Sequence, residues 1–541
     1  MKKRQVSFLL CAMMMISTVF VGCGNKTTEE VTTLSTVPTV SGGTQSVSED
    51  LNILPLSVEE AKITWATYDN FYAPSSLASG LEIWKQIEEK TNVKITWEAT
   101  PSEQYDATMQ VKLAAATNLP DIVLVPGLDP TPYGQAGLFI PIETLIEKYA
   151  PNIKQVFKDY PGAKQELTSG DGHIYGISPI VKASAEALPV VWTIRKDWLD
   201  KLKLTSPDSL SEWVTVLKAF RDKDPNANGK KDEIPFVGTP LRFSEAFGLQ
   251  LCSGSDYYDV DGKAVYQWTD SKMVEFFKFA NELYNEKLID PNYGNPTTQS
   301  TQSRVTNNLV GAFALYPDWI DAWQKTLRSA AGGENAVHIP ILPPKGANGE
   351  RTVDTYTVID GGFTSISKDC KDPVLAIKLM DYLWSEEGQR YLAWGIEGKT
   401  YTLEAGKPVL TDYVTKNTEG LGASDVLRTV GAWPTIPWVQ QKEQYTQMLA
   451  QLPYFEDLTQ MMKSVYKTPF PMLLATKEQQ EKIGALENDI TTYRKEMVIK
   501  FIIGKEPISN FNKYVETLKG MGLDDLVKIK QTEYDFYKSN K

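Results

Sequence analysis

From Lys62 onward the chain alternates short β-branched and aromatic runs with amphipathic stretches of helical period, and this alternation narrows the fold more than any other feature. KITWA (62–66) has the residue types of a strand. LASGLEIWKQIEEK (77–90) sets Leu81, Trp84 and Ile87 on one helical face. VKITWE (93–98), EQYDATMQVKLAAAT (103–117) and DIVLV (121–125) then repeat strand, helix, strand. Strands separated by helices of this length imply right-handed βαβ units and a parallel sheet. Ligands of such sheets sit off the carboxyl ends of the strands, which puts Tyr68, Asp69 and Asn70 where a ligand would be.

A second region of the same kind follows. VVWTIRKDWLDKLKL (190–204) reads as a strand entering a short helix. PDSLSEWVTVLKAFRDKD (207–224) reads as a helix opened by Ser209 and Glu212 at capping-box spacing, with Leu210, Trp213, Leu217 and Phe220 as its buried stripe. VEFFKFANELYNEKLI (274–289) is a further amphipathic helix. LVGAFALYPDWIDAW (309–323) is strand, turn and helix, and Pro-rich HIPILPPKGANGERTV (338–353) marks a crossing segment. PVLAIKLMDYLWSEEGQRYLAWG (373–395) reads as two successive helices, and the last third of the chain is mostly helical. Trp84, Trp198, Trp213 and Trp384 fall on apolar stripes and are assigned to the core. About 485 residues of folded body exceed what one compact core serves, so two lobes are expected.

The chain opens MKKR followed by an apolar run from Val6 to Val21, the pattern of a secretory leader rather than a spanning helix. Phe20-Val21-Gly22-Cys23 resembles the bacterial lipobox, in which the cysteine is lipidated and becomes N-terminal. Two or more acyl chains then give a stable anchor, and the body would lie outside the cytoplasm on the outer face of the cell membrane. Residues 23–56 are rich in Thr and Ser with little apolar pattern and read as a tether spanning roughly 30 Å. The formal charge is −12, and removing 1–22 takes three cations and no acid, leaving −15. So acidic a body is a poor partner for nucleic acid. Cys252 and Cys370 remain in the body, a disulfide between them being the lesser expectation beside two buried thiols.

DPNANGKKDE (224–233) places acidic and amide side chains at alternate positions around a glycine, the way a chain builds an oxygen cage for a hard cation. With Asp224 as position 1, Asn226, Asn228, the Lys230 carbonyl and Asp232 fall on positions 3, 5, 7 and 9, and Gly229 supplies the bend at position 6. Position 12 is Pro235 instead of the usual bidentate Glu, so Glu233 would close the cage. A caged ion with saturated protein ligands is structural, not catalytic. The alternative is an Asx-rich turn holding no ion.

These features together resemble one family. The lipobox, the opening βαβαβ, IRKDWLDKL (Ile194–Leu202), DPNANGKKDEIP (Asp224–Pro235), AIKLMDYLWSEEGQRYLAWGIEGKTYT (Ala376–Thr402) and FIIGKEPISNFNKYVETLKGMGLDDLVKIKQTEYDFY (Phe501–Tyr537) are similar to the extracellular solute-binding lipoproteins of carbohydrate ABC transporters, of the LipO-like, alginate-oligosaccharide-binding group. The resemblance implies a type II, two-lobe α/β fold of the periplasmic-binding-protein kind, each lobe a sheet flanked by helices, with the ligand cleft between them. Lobe 1 would combine 57–181 with 337–402, and lobe 2 would combine 182–336 with 403–541. It also implies an oligosaccharide ligand, a separate permease and ATPase as partners, a monomer, and structural Ca²⁺ in the 224–233 loop. The chain itself has no G-x-x-x-x-G-K-[ST] phosphate loop, as a component that leaves ATP to a separate subunit should.

Sugars offer flat C–H faces to aromatic rings and hydroxyls to polar side chains. In the loops expected to face the cleft, the candidates are Tyr68, Asp69, Asn70, Trp192, Arg195, Tyr316, Asp318, Trp319, Trp394 and Trp433. For each aromatic the competing assignment is core packing, and Arg195 with Asp197 could equally be a structural pair. Only His173 and His338 are available for acid–base work, and Ser365 and Lys368 have S-x-x-K spacing without the companion K-T-G. No catalytic residue is therefore assigned. The alternatives are a surface-anchored glycoside hydrolase, which needs only two carboxylates, and an adhesin for glycan or peptide without a transport role.

Overall fold

The structure, a computed structural model, describes residues 53–539 apart from 70–75, 182–189, 295–297, 331, 356, 360–361, 418, 420, 435 and 451–453. The leader, Cys23 and most of the tether lie outside the described residues. The folded body is already under way at Leu56, which is buried and whose N–H donates to the Thr91 carbonyl at 2.9 Å.

The opening alternation forms the βαβαβ unit that its periodicity predicts. Strands Ala61–Tyr68, Val93–Thr100 and Ile122–Leu124 are parallel, with helices Glu82–Thr91 and Ser102–Ala115 between them. A fourth strand, Thr364–Ile366, arrives from far along the chain and pairs antiparallel beside Ile122–Leu124. Trp65, Trp84 and Ile87 close the core against this sheet.

The second sheet runs Ile234–Phe236, Val310–Leu315, Val191–Arg195, His338–Ile341 in spatial order, mixed parallel and antiparallel. Helix Leu210–Asp222 covers it and begins at the expected capping box. Glu212 N–H donates to Ser209 Oγ at 3.4 Å, and Ser209 N–H donates back to the Glu212 carboxylate at 2.9 Å. A second core forms here around Trp192, Trp198, Trp213 and Phe243, and extends to helices Lys477–Ile502, Phe511–Gly520 and Leu523–Ser539.

Two lobes, each a sheet flanked by helices, are therefore present. The chain passes between them on thin connections, among them Val353–Asp354 paired in parallel with Tyr466–Lys467. The contacts differ from both limits expected for the second segment of lobe 1, 337–402. His338–Ile341 belongs to the second sheet, so the strand expected to start lobe 1 at 337 stays with lobe 2. The stretch 403–449 stays with the first lobe. Ile83 N–H donates to the Val430 carbonyl, Trp433 N–H to Leu392, and Trp384 Nε1 to Pro437. The helical region 373–395 is also less regular than expected. Helix Pro373–Leu383 stops, Glu386–Gln389 restarts, and Arg390–Trp394 widens into a π turn. Cys252 and Cys370 are both free thiols. No helix among the described residues is long and apolar enough to cross a membrane.

Candidate functional site

Where the crossing segments meet the second lobe, the structure encloses a cavity of about 910 Å³. Its floor is the crossing stretch Asp354–Thr355 and the rigid triplet Pro469-Phe470-Pro471. The loop Cys252–Tyr257 also lines it, as does one face of helix Lys477–Ile502, with Glu487, Asn488, Thr491 and Arg494. That spacing of three and four residues is what places side chains on a single helical face. Tyr316 and Arg242 complete the rim.

Aromatic surface and polar groups alternate around this space. Phe470 lies 6.0 Å from Tyr257 and 4.6 Å from Tyr534, centroid to centroid. Tyr316 stands edge-on to Trp319 at 5.8 Å. Arg494 is held by Asp256 at 3.2 Å and lies 4.6 Å over the Trp268 ring, while Asp256 also accepts from Trp268 Nε1 at 2.7 Å. Beneath the floor, Glu245 accepts from Trp192 Nε1 at 2.8 Å and pairs with Arg242 at 3.2 Å. Burial pushes its carboxyl up to about 7 against the pull of Arg242. Asp354 accepts from Gln250 Nε2 at 2.6 Å, and burial raises it to about 6. Burial likewise pushes the Cys252 thiol up to about 12, which makes it a poor nucleophile.

Of the ten ligand-binding candidates named from the sequence, Tyr316 alone among the described residues lines this cavity. Trp192 is 1% exposed, wedged among Trp213, Phe236 and Phe243, and reaches the site only through Glu245. Arg195, also buried, is bidentate to Asp197 at 2.8 and 2.6 Å, bonds Asn308 at 2.7 Å and stacks on Trp198, so it is the structural pair. Trp394 is buried with Nε1 donating to Gln441 at 2.7 Å. Trp433 is stacked on Tyr445 at 6.1 Å, and Trp319 on Trp323 at 6.3 Å. Asp318 accepts from Ser424 Oγ at 2.7 Å, tying helix Pro317–Arg328 to the 401–449 stretch. Tyr68 sits edge-on to Tyr105, Asp69 accepts from Leu77 N–H at 2.8 Å, and Asn70 lies outside the described residues. The cavity residues missed in the sequence had two signals. One is the small-residue run Cys252–Ser255 leading into Asp256-Tyr257, and the other is a phenylalanine locked between prolines.

The residues considered for catalysis are either paired with an acid or buried. His173 Nδ1 lies 2.8 Å from Glu143, and His338 is buried and held neutral by that burial. Ser365 is buried in its strand, and Lys368 pairs with Asp369.

The loop 224–233 is wound for inward-facing oxygens. Asp224, Ala227 and Gly229 take left-handed backbone angles of φ 45°, 60° and 77°. Asp224 Oδ2 accepts from Gly229 N–H at 3.1 Å, Asn226 Oδ1 from Asn228 N–H at 3.0 Å, and Asn228 Oδ1 from Lys230 N–H at 2.7 Å. Asn228 Nδ2 donates to Asp232 at 2.9 Å. Glu233 is buried, and neither carboxylate oxygen meets a donor among the described residues. Its pKa is raised, first by burial and then by the nearby charges of Asp224 and Asp232. Acids thus gather near this carboxylate, although among the described residues no group of three or more acidic, histidine or cysteine side chains is arranged to hold a metal ion.

Comparison with known proteins agrees with this architecture. The model of the family described as bacterial extracellular solute-binding protein matches residues 74–390, well over half the chain. The fructooligosaccharide ABC transporter substrate-binding protein FusA of Streptococcus pneumoniae is 27% identical over 503 residues, covering 85% of this chain and 87% of that protein. The polygalacturonan/rhamnogalacturonan-binding protein YtcQ of Bacillus subtilis is 29% identical over 338 residues, 59% of this chain and 63% of that one. Among solved structures, the alginate-binding protein AlgQ2 superposes with a TM-score of 0.75 at 26% identity, covering 88% of this chain and 99% of its own. The chain belongs to the bacterial extracellular solute-binding protein family.

Proposed function

We propose that the chain is the substrate-binding component of an ABC importer, capturing an oligosaccharide between its lobes and passing it unaltered to a permease driven by a separate ATPase. The observation that carries this reading is the 910 Å³ cavity at the lobe junction, lined by rings and by polar groups of both hydrogen-bonding senses. That lining matches sugar faces and sugar hydroxyls, and a volume near 900 Å³ holds several sugar rings. A dissociation constant near 1 μM needs about −8 kcal/mol, within reach of two or three stacked rings and charge-assisted hydrogen bonds. FusA, YtcQ and AlgQ2 are each named for a saccharide, which supports the same class of ligand here. Isothermal calorimetry against an oligosaccharide panel, with chromatography of the sugars afterwards, tests it. Binding without cleavage is the expected result. Released products would favour a hydrolase, and silence across the panel would end the carbohydrate reading.

We further propose Ca²⁺ in the 224–233 loop, bound by Asp224, Asn226, Asn228, the Lys230 carbonyl, Asp232 and Glu233. The ion would neutralise crowded acids and pin helix Leu210–Asp222 to strand Ile234–Phe236. The donorless Glu233 supports this, as do a structure of AlgQ2 described as being without calcium ion and one of FusA described as an EF-hand mutant. At the other end, lipidation of Cys23 would tether a monomeric body to the outer face of the membrane. Mass spectrometry of the protein from membranes, expected to show diacylglycerol on an N-terminal cysteine, checks that point.

A further inference from the structure

We infer that the cleft is built for an uncharged oligosaccharide and discriminates against sugars bearing carboxylates. The inference rests on the carbohydrate reading above and narrows it. Among the described residues three cations line the cavity, Arg242, Arg494 and Lys530. A uronate carried into this space would need one of them, because a carboxylate taken out of water without a cationic partner is strongly disfavoured.

Each of the three is already engaged by an acid of the protein. Arg242 holds Glu245 at 3.2 Å, Arg494 holds Asp256 at 3.2 Å, and Lys530 holds Glu533 at 2.9 Å. Glu245 and Glu533 are themselves buried, at 1% and 4% exposure, so surrendering their cations would leave two buried carboxyl groups without their partners. Arg494 is further fixed in place over the Trp268 ring. The cations are therefore structural counter-ions and not vacant carboxylate receptors.

The acids point the other way. Asp354 and Glu487 line the same cavity. Asp354 Oδ2 is buried without a donor, and Glu487 forms no ion pair with a described residue. Glu487 is an acceptor that a sugar hydroxyl would satisfy, and the two acids together would repel a uronate. Asn488 and Thr491 supply neutral hydrogen-bonding groups on the adjoining wall. The lining carries three acids, Asp256, Asp354 and Glu487, against its three cations, so it holds no surplus positive charge for a carboxylate, which favours a ligand that brings O–H donors and no charge.

Calorimetry of the mature chain with kestose, maltotriose, cellotriose and trigalacturonate, at low and high NaCl, tests this. We expect at least one neutral sugar to bind with a dissociation constant that changes less than about twofold with salt, since no ligand charge is screened. Trigalacturonate should bind at least about 100-fold more weakly, the order expected for a buried carboxylate without a partner. Glu487→Lys, which puts an unpartnered cation on the wall, should then improve trigalacturonate binding by about tenfold or more. Trigalacturonate binding as tightly as the best neutral sugar, with an affinity that falls steeply in salt and in Arg494→Gln, overturns the inference while leaving the carbohydrate reading intact. Binding by no sugar of either class overturns both.

Discussion

Two buried carboxylates decide how single residues of this protein respond to conditions. Glu233 has its pKa raised by burial and by Asp224 and Asp232. In the absence of calcium its contribution to stability is complete at acid pH, below the unfolded value, and is lost as pH rises through the folded value. Calcium removes that penalty by binding the ionised form. Glu233→Gln should therefore unfold at a higher temperature than the parent in chelator at pH 7.5, yet gain little on adding Ca²⁺, whereas the parent gains several degrees. Thermal scans with and without chelator read both. Glu245, pushed up to about 7 under the cavity floor, follows the same sign, its stabilising share falling away between about pH 5 and 8. Glu245→Gln keeps an acceptor for Trp192 Nε1 and removes the titration. Its urea midpoint should stay flatter than the parent's from pH 6 to 8, by an amount of order 1–3 kcal/mol, and an unchanged slope would reject that role.

Among the elements, Pro469-Phe470-Pro471 carries the clearest consequence. Prolines on both sides fix the backbone angles, so Phe470 presents its ring to the cavity at little entropic cost. Phe470→Leu preserves apolar volume and should cost less than about 1.5 kcal/mol of stability. Loss of the ring face should weaken sugar binding by roughly tenfold, near 1.4 kcal/mol. Matched affinities in the two proteins would remove Phe470 from the site. The elements differ in how far the sequence revealed them. The βαβαβ unit, the Ser209–Glu212 capping box and the oxygen-rich loop were legible because each is a local pattern. Trp192 was misplaced because VVWTIR is a near-continuous apolar run. Its sheet is covered on both faces, so a ring there is buried whichever way it points. Trp394 was misplaced because the π turn Arg390–Trp394 rotates it inward against Gln441, and helical period gives no warning of such a turn. The cavity itself draws on segments near 242, 255, 316, 354, 470 and 490, whose proximity no local spacing encodes.

At the scale of the whole molecule, the lobes are joined by short crossing strands, by polar contacts and by apolar packing of Phe313, Ile320 and Trp323 into the first core. The crossing pair Val353–Asp354 with Tyr466–Lys467 is two residues on each side. Away from it, Gln480 Nε2 on the long second-lobe helix donates to Asp129 of the first lobe at 2.7 Å. Asp129 is half-buried, and desolvation raises its pKa against the bonds it receives from Thr131 and Gln480. Short crossings with a few such latches suit a hinge, in which a ligand touching both lobes favours the closed arrangement by its differential contacts alone. A hydrogen bond to a carboxylate contributes about 1–2 kcal/mol to the state that holds it. Gln480→Ala should then shift the open–closed balance by about 5- to 30-fold toward open and raise the apparent dissociation constant by up to that factor, though Gln480 is not among the cavity-lining residues. Small-angle scattering separates this from simple damage. The parent should compact when saturated with sugar, and the variant should reach the same radius of gyration at higher sugar concentration. A parent whose radius is unmoved by saturating ligand would mean that these lobes do not work as a hinge.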